Sequence, residues 1–213
     1  MLIKWIKCLV ESRNKNLFSD AQEQWHSLKD SEGFIVQTGG WNIHNDNEAC
    51  IMSLWKDYPS YLRFMVNRHD NIVRKNGQGD TYVSIAVALY DSMFNFNHLK
   101  IDVEAIVGKS KIIRSTECST IAGNEEKYIQ SQNVVWGPAM TGVEGFSGGY
   151  FSKRIEIESD SDFLVLTYWD SEKSHLDFIR DRLQSLRVKA GMEKYMEKLI
   201  PRIIRTEESW SVY

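Results

Sequence analysis

Histidine is the side chain best suited to exchanging protons near neutrality, and His69 stands where one could act as a general base. Counted from Trp55, the amphipathic stretch that follows carries Leu62, Met65, His69 and Ile72 at offsets of 7, 10, 14 and 17 residues. Counted from Trp169, the same offsets hold Leu176, Ile179, Leu183 and Leu186. A histidine therefore replaces a leucine on what the spacing predicts to be an inward helix face. Partial desolvation there favours the neutral, proton-accepting ring. The structural alternative is a core histidine whose ring bonds to a neighbouring backbone or side chain. Around it, Trp5, Trp25, Trp41, Trp55, Phe64 and Tyr82 form a set that either lines an apolar pocket for a flat ligand or is ordinary core.

Other motifs carry less. Gly145-Phe146-Ser147-Gly148-Gly149 fits G-x-S-x-G, but a hydrolase elbow needs a strand before the serine and a helix after it, and here the order is reversed. Gly77-Gln78-Gly79 lacks the third glycine and the helix of a dinucleotide loop and reads as a flexible connector. Glu156, Glu158, Asp160 and Asp162 straddle a hairpin, where solvated turn chemistry accounts for them. His26, His44, His98 and His175 show no metal-ligand spacing, so neither a metal nor a cofactor is expected. Cys8, Cys50 and Cys118 are odd in number and far apart, which fits buried thiols better than disulfides.

The elements that position these residues repeat. Trp25, Gly33-Phe34, Trp55 and Phe64 recur as Trp136, Gly145-Phe146, Trp169 and Phe178 at nearly equal spacing. Each copy opens on a strand, Ile3–Val10 or Lys111–Cys118. A helix follows in the first copy, with Phe18, Ala21, Trp25 and Leu28 on one face and Gly33 as its stop. The second copy's helix begins near Asn124, and Gly137-Pro138 predicts that it is broken or shortened. Hairpins come next: Phe34–Ile43 with Glu48–Trp55 across His44-Asn45-Asp46-Asn47, and Phe146–Ile157 with Asp162–Trp169 across Glu158-Ser159-Asp160-Ser161. Asp57 and Pro59, or Asp170 and Ser171, start a second helix. Tyr82–Tyr90 and Ile203–Tyr213 are the expected closing strands. The order β-α-β-β-α-β, twice, is an α+β fold of two ferredoxin-like repeats, 1–100 and 106–213, expected to pack sheet to sheet within one chain.

Composition bounds the function. The 213 residues carry 26 Lys+Arg against 29 Asp+Glu, a formal charge of −3 with no basic run, so a nucleic-acid partner is not expected. With 42% hydrophobic and 12% aromatic residues there is ample material for a packed core. Lys4 and Lys7 interrupt the apolar N-terminal stretch, which reads as a strand rather than a signal peptide. No window reaches the ~18–20 apolar residues of a membrane span, and a cytoplasmic location is expected.

Ala21-Gln22-Glu23-Gln24-Trp25, Gly33-Phe34, Gly39-Gly40-Trp41 and the strand ending Leu54-Trp55 before a helix resemble the antibiotic-biosynthesis-monooxygenase family of the dimeric α+β barrel superfamily. More narrowly, the chain resembles an uncharacterised bacillus-type, YdbC-like group with two fused modules. The resemblance covers nearly all of the first repeat and, more weakly, the second. It implies an intramolecular version of the dimeric barrel: a monomer with an internal pseudo-twofold, further dimerisation being left open. Relatives of this kind include cofactor-independent oxygenases of quinol-like substrates, haem-degrading enzymes and proteins without known activity. The haem-degrading pattern wants an Asn on the first strand, a Trp in the second helix and a His ten residues later. Here Phe64 and Arg74, or Phe178 and Val188, hold the latter two positions, and Ile3–Val10 contains no Asn. Three functions remain: a cofactor-independent monooxygenase-like enzyme on a small aromatic or quinol-like substrate with His69 as base, a non-catalytic binder of a small apolar ligand such as haem, and a structural module whose pocket is self-filled.

Overall fold

The computed structural model describes residues 1–96, 102–155 and 161–213. His98, Glu156, Glu158 and Asp160 lie outside them, as does most of the second hairpin turn.

The first repeat runs β1 (Leu2–Leu9), α1 (Lys15–Glu23) continued by 3-10 turns over Gln24–Asp30, β2 (Phe34–Asn42), β3 (Asn45–Trp55), α2 (Tyr58–Phe64), a π turn (Met65–His69), α3 (Asp70–Asn76) and β4 (Ser84–Asn95). After the short α4 (Val103–Lys109) the second repeats the order: β5 (Ile112–Thr120), α5 (Glu125–Ser131), a π turn (Gln132–Trp136), α6 (Gly137–Met140), β6 (Phe146–Arg154), β7 (Asp162–Trp169), α7 (Glu172–Phe178), a π turn (Ile179–Leu183), α8 (Gln184–Ala190) and β8 (Met196–Thr206). Each repeat is thus a ferredoxin-like module of an α+β protein.

Two compact units result. One takes Met1–Leu89, Val103–Gly108 and Ile204–Tyr213; the other takes Lys109–Ile203 and β4 from Tyr90 onward. β4 and β8 therefore each begin in one unit and finish in the other. In the first unit the strands follow β1-β3-β2-β8, and in the second β8-β5-β7-β6-β4. The duplication is written into the register: Leu2 and Phe34 both pair with Trp55, and Ile112 and Phe146 both pair with Trp169. A bulge follows Phe34 in one copy and Phe146 in the other.

Local chemistry explains the boundaries. Asp57 accepts the Ser60 backbone N–H at 2.8 Å and Pro59 occupies the first turn, so α2 starts there. Ser171 caps α7 through Ser174 N–H at 3.1 Å. Gly77 and Gly191, at φ 62° and 64°, end the second helix of each repeat in a left-handed turn that costs glycine nothing. Gly33 is fixed more tightly, at φ 76° with a Cβ position only 2.3 Å from Ser60 Oγ.

Four expectations change. The first hairpin turns on Ile43-His44 alone, because the Asn42 side chain accepts the His44 N–H at 3.1 Å and Asn45 already pairs with Asn42. The second repeat's last strand is Met196–Thr206 rather than 203–213; Pro201 sits within it at an exposed position, where its missing N–H is tolerated. The chain beyond turns through Glu208–Trp210, and Val212 bridges to Gln37. The helix beginning near Asn124 runs through Gly137-Pro138, with Pro138 in the first turn of α6 after the π turn. Finally, Leu62 and Leu176 are exposed, and the buried stripes start at Tyr61 with Phe64 and at His175 with Phe178. The π turn inserts one extra residue, which carries the first stripe on to His69 and Val73.

Candidate functional site

The first unit has an open-mouthed cavity of about 450 Å3 between its sheet and its helices. Alternate residues Lys4, Ile6 and Cys8 of β1 face it, as the two-residue period of a strand requires. From the helical side come Trp25, Phe64 and His69, and Tyr82 closes it near β4. His69 Nδ1 lies 2.9 Å from Asp70 Oδ1, and its ring centroid is 5.7 Å from Trp25 and 5.9 Å from Phe64. With Asp70 as acceptor, Nδ1 carries the proton and Nε2 is left as the basic nitrogen.

Of the aromatic set, Trp25, Phe64 and Tyr82 line this cavity with His69, whereas Trp5, Trp41 and Trp55 do not. Trp5 is buried on β1, one residue out of phase with the lining positions. Trp55 lies behind the lining, 5.0 Å from Phe64, with Nε1–H donating to Ser53 Oγ at 3.0 Å. Trp41 belongs to a separate cluster with Phe18 and Trp210, at 5.8 and 5.4 Å.

Two residues of this site escaped the sequence reading. Lys4 is 7% exposed, and among the described residues no carboxylate pairs with it; its Nζ lies 5.6 Å from the Tyr61 ring centroid. Burial lowers the Lys4 pKa to about 8, against a smaller opposing effect of Cys8. It is still cationic at pH 7. Gln78, read as part of a flexible connector, is buried: its Oε1 accepts Trp25 Nε1–H at 2.7 Å and its Nε2 donates to Gln22 Oε1 at 2.8 Å. The left-handed turn at Gly77 aims it inward.

The second unit repeats the cavity, at about 340 Å3, from equivalent positions. Registered on the paired tryptophans, Arg114 replaces Lys4, Leu183 replaces His69, Arg187 replaces Val73 and Met192 replaces Gln78. No aspartate or glutamate lines either cavity among the described residues. The thiols Cys8 and Cys118 are buried and free, and burial pushes each up to about 12. They are inert rather than nucleophilic.

These features define an α+β protein of two ferredoxin-fold modules, each with a cavity open to solvent. Solved structures share the fold over nearly the whole chain. One from Fusobacterium nucleatum, provisionally named a monooxygenase, has a TM-score of 0.75 at 9% identity, covering 96% of this chain and 91% of that one. An anthrone oxidase-like protein scores 0.72 at 10% identity, with 97% and 91% covered. A heme-degrading enzyme from Listeria monocytogenes scores 0.51 at 10% identity, with 96% and 99% covered. At such identities the likeness is one of fold. A family model described as a domain of unknown function (DUF4937) matches residues 2–90. The uncharacterized protein YdbC of Bacillus subtilis (strain 168) is 40% identical over 100 residues, which make up 46% of this chain and 84% of that protein. The chain belongs to the YdbC family, as a member roughly twice the length of that relative. No helix among the described residues is long and apolar enough to cross a membrane.

Proposed function

We propose that the first repeat is a cofactor-independent, monooxygenase-like site for a small aromatic or quinol-like substrate. The observation that carries this reading is the presence of His69 and Lys4 on one cavity of about 450 Å3, a size ordinary for ligand sites. The apolar lining holds a flat ring. His69 Nε2 takes a proton from a hydroxyl or an activated carbon, and the oxyanion that forms is met by the Lys4 ammonium in a poorly solvated site. The electron-rich anion then reacts with dioxygen. For a methylene beside an aromatic ketone the balance is CH2 + O2 giving C=O + H2O, which needs no further reductant. The open volume also argues against a module that fills its own pocket. The proposed setting is the cytoplasm, where Cys8, Cys50 and Cys118 stay reduced.

The test uses anthrone as probe, with oxygen consumption and product absorbance as readouts. Turnover by the wild type, lost in His69→Leu while anthrone binding persists, is the expected result. Binding without turnover in the wild type would replace the enzyme by a carrier. A haemin titration run in parallel, in which a Soret shift sensitive to His69→Leu appeared and anthrone did not bind, would move the reading to haem binding.

A further inference from the structure

The cavity of the second repeat differs from the first in what its polar groups can do. Arg114 on β5 and Arg187 on α8 both line it, and neither makes a side-chain hydrogen bond or ion pair among the described residues. Arg114 is partly buried and lines the cavity wall. Burial, then the nearby Arg187 charge, lower the Arg114 pKa to about 10, so it is still cationic at pH 7. Glu193 and Glu197 flank Arg187 in an adjoining groove, exposed and beyond ion-pair distance.

Two further polar side chains belong to the same wall. Trp136 Nε1–H is buried without an acceptor among the described residues. In the first repeat the equivalent Trp25 donates to Gln78, but Met192 stands at that position here and cannot take its place. The Gln132 side chain is buried on the cavity wall and makes no hydrogen bond among the described residues, although the equivalent Gln22 is bonded to Gln78. Two guanidinium groups and an indole N–H, with no carboxylate in the lining, are complementary to one negative charge on an apolar body.

We propose that the second cavity is a binding site for a small apolar carboxylate, held by Arg114 and Arg187 with Trp136 Nε1–H as a third donor. The site is separate from the chemistry proposed for the first repeat and does not depend on it.

The experiment is calorimetric titration of the full-length chain with 1-naphthoate and with neutral 1-naphthamide, followed also by tryptophan fluorescence. The wild type should prefer the acid by roughly tenfold or more, the range of a charge-assisted hydrogen bond. Arg187→Gln and Arg114→Met should each bring the preference close to unity, and Lys4→Met should leave it unchanged. Arg114→Met should also raise the melting temperature of the ligand-free protein, since it removes a buried charge without a counter-ion, and should abolish the further rise that naphthoate causes in the wild type. Should Arg114→Met fail to fold, the half-buried Arg187→Gln decides by itself. Equal affinity for acid and amide, a preference that survives Arg187→Gln, or one lost in Lys4→Met instead would each overturn the assignment.

Discussion

Lysine at position 4 ought to weaken the protein that carries it, and the size of the effect can be worked out. Lowering its pKa from 10.5 to about 8 corresponds to about 3 kcal/mol at 1.36 kcal/mol per pH unit. The Tyr61 ring beside Nζ returns about 0.5–2 kcal/mol. Lys4→Met keeps the length of the stem and removes the charge, so at pH 7 it should stabilise the protein by about 1–2.5 kcal/mol. For a chain of this size that is a rise in melting temperature of roughly 3–8 °C. The pH dependence supplies the sharper test. Between about pH 8 and 10.5 the unfolded chain keeps a proton on Lys4 that the folded chain has released. Wild-type stability therefore rises through that window, and the variant lacks this rise. The gap between the two proteins, full below pH 8, should close by pH 10.5. Thermal melts followed by circular dichroism at pH 7, 9 and 10.5 measure it. A variant less stable than the wild type at pH 7, or two parallel pH profiles, would refute the claim that the ammonium is held unpaired in a desolvated site.

Exchanging the residues after the left-handed glycines tests the divergence of the two cavities. Gln78→Leu strips Trp25 Nε1–H of its acceptor and should cost about 1–3 kcal/mol in urea unfolding. Met192→Gln offers Trp136 an acceptor and should stabilise by about 1 kcal/mol; a loss of stability would mean that the Met192 packing matters more than the orphaned donor. A chromogenic disulfide reagent at pH 8 should react with Cys8 and Cys118 only after denaturation, because both thiols are buried and titrate near pH 12. Rapid labelling of either in the native state would contradict their placement.

The duplicated order of elements was legible because its landmarks are large side chains at fixed registers. Trp55 and Trp169 end equivalent strands, and Gly33 and Gly145 open equivalent hairpins through left-handed turns. His69 reached the cavity as its offset from Trp55 implied, although the face it shares begins at Tyr61 and not at Leu62. Periodicity at 3.6 residues per turn cannot register a π turn, whose extra residue depends on tertiary packing. Trp5, Trp41 and Trp55 illustrate a second limit: large aromatics are buried whichever way they point, and strand phase decides which of them meets empty space. Lys4 was hidden for the opposite reason. A lone cation in a strand reads as solvent-facing, and what desolvates it is a helix distant in sequence. A usable signal was present all the same, because Lys4 and Arg114 each stand two residues after the partner of a landmark tryptophan.

That shared register makes the buried cation a property of the module and the remaining differences a property of each copy. His69 to Leu183 removes a proton acceptor, Val73 to Arg187 adds a cation, and Gln78 to Met192 frees an indole donor. The three changes act in one direction. The first cavity holds one cation together with a base, so it suits a neutral substrate whose anion must be generated in place. In the second, donors lack any base, so that cavity suits an anion that arrives already formed. A neutral group there would leave the Arg114 charge desolvated and unmatched, an arrangement that a buried site pays for in stability.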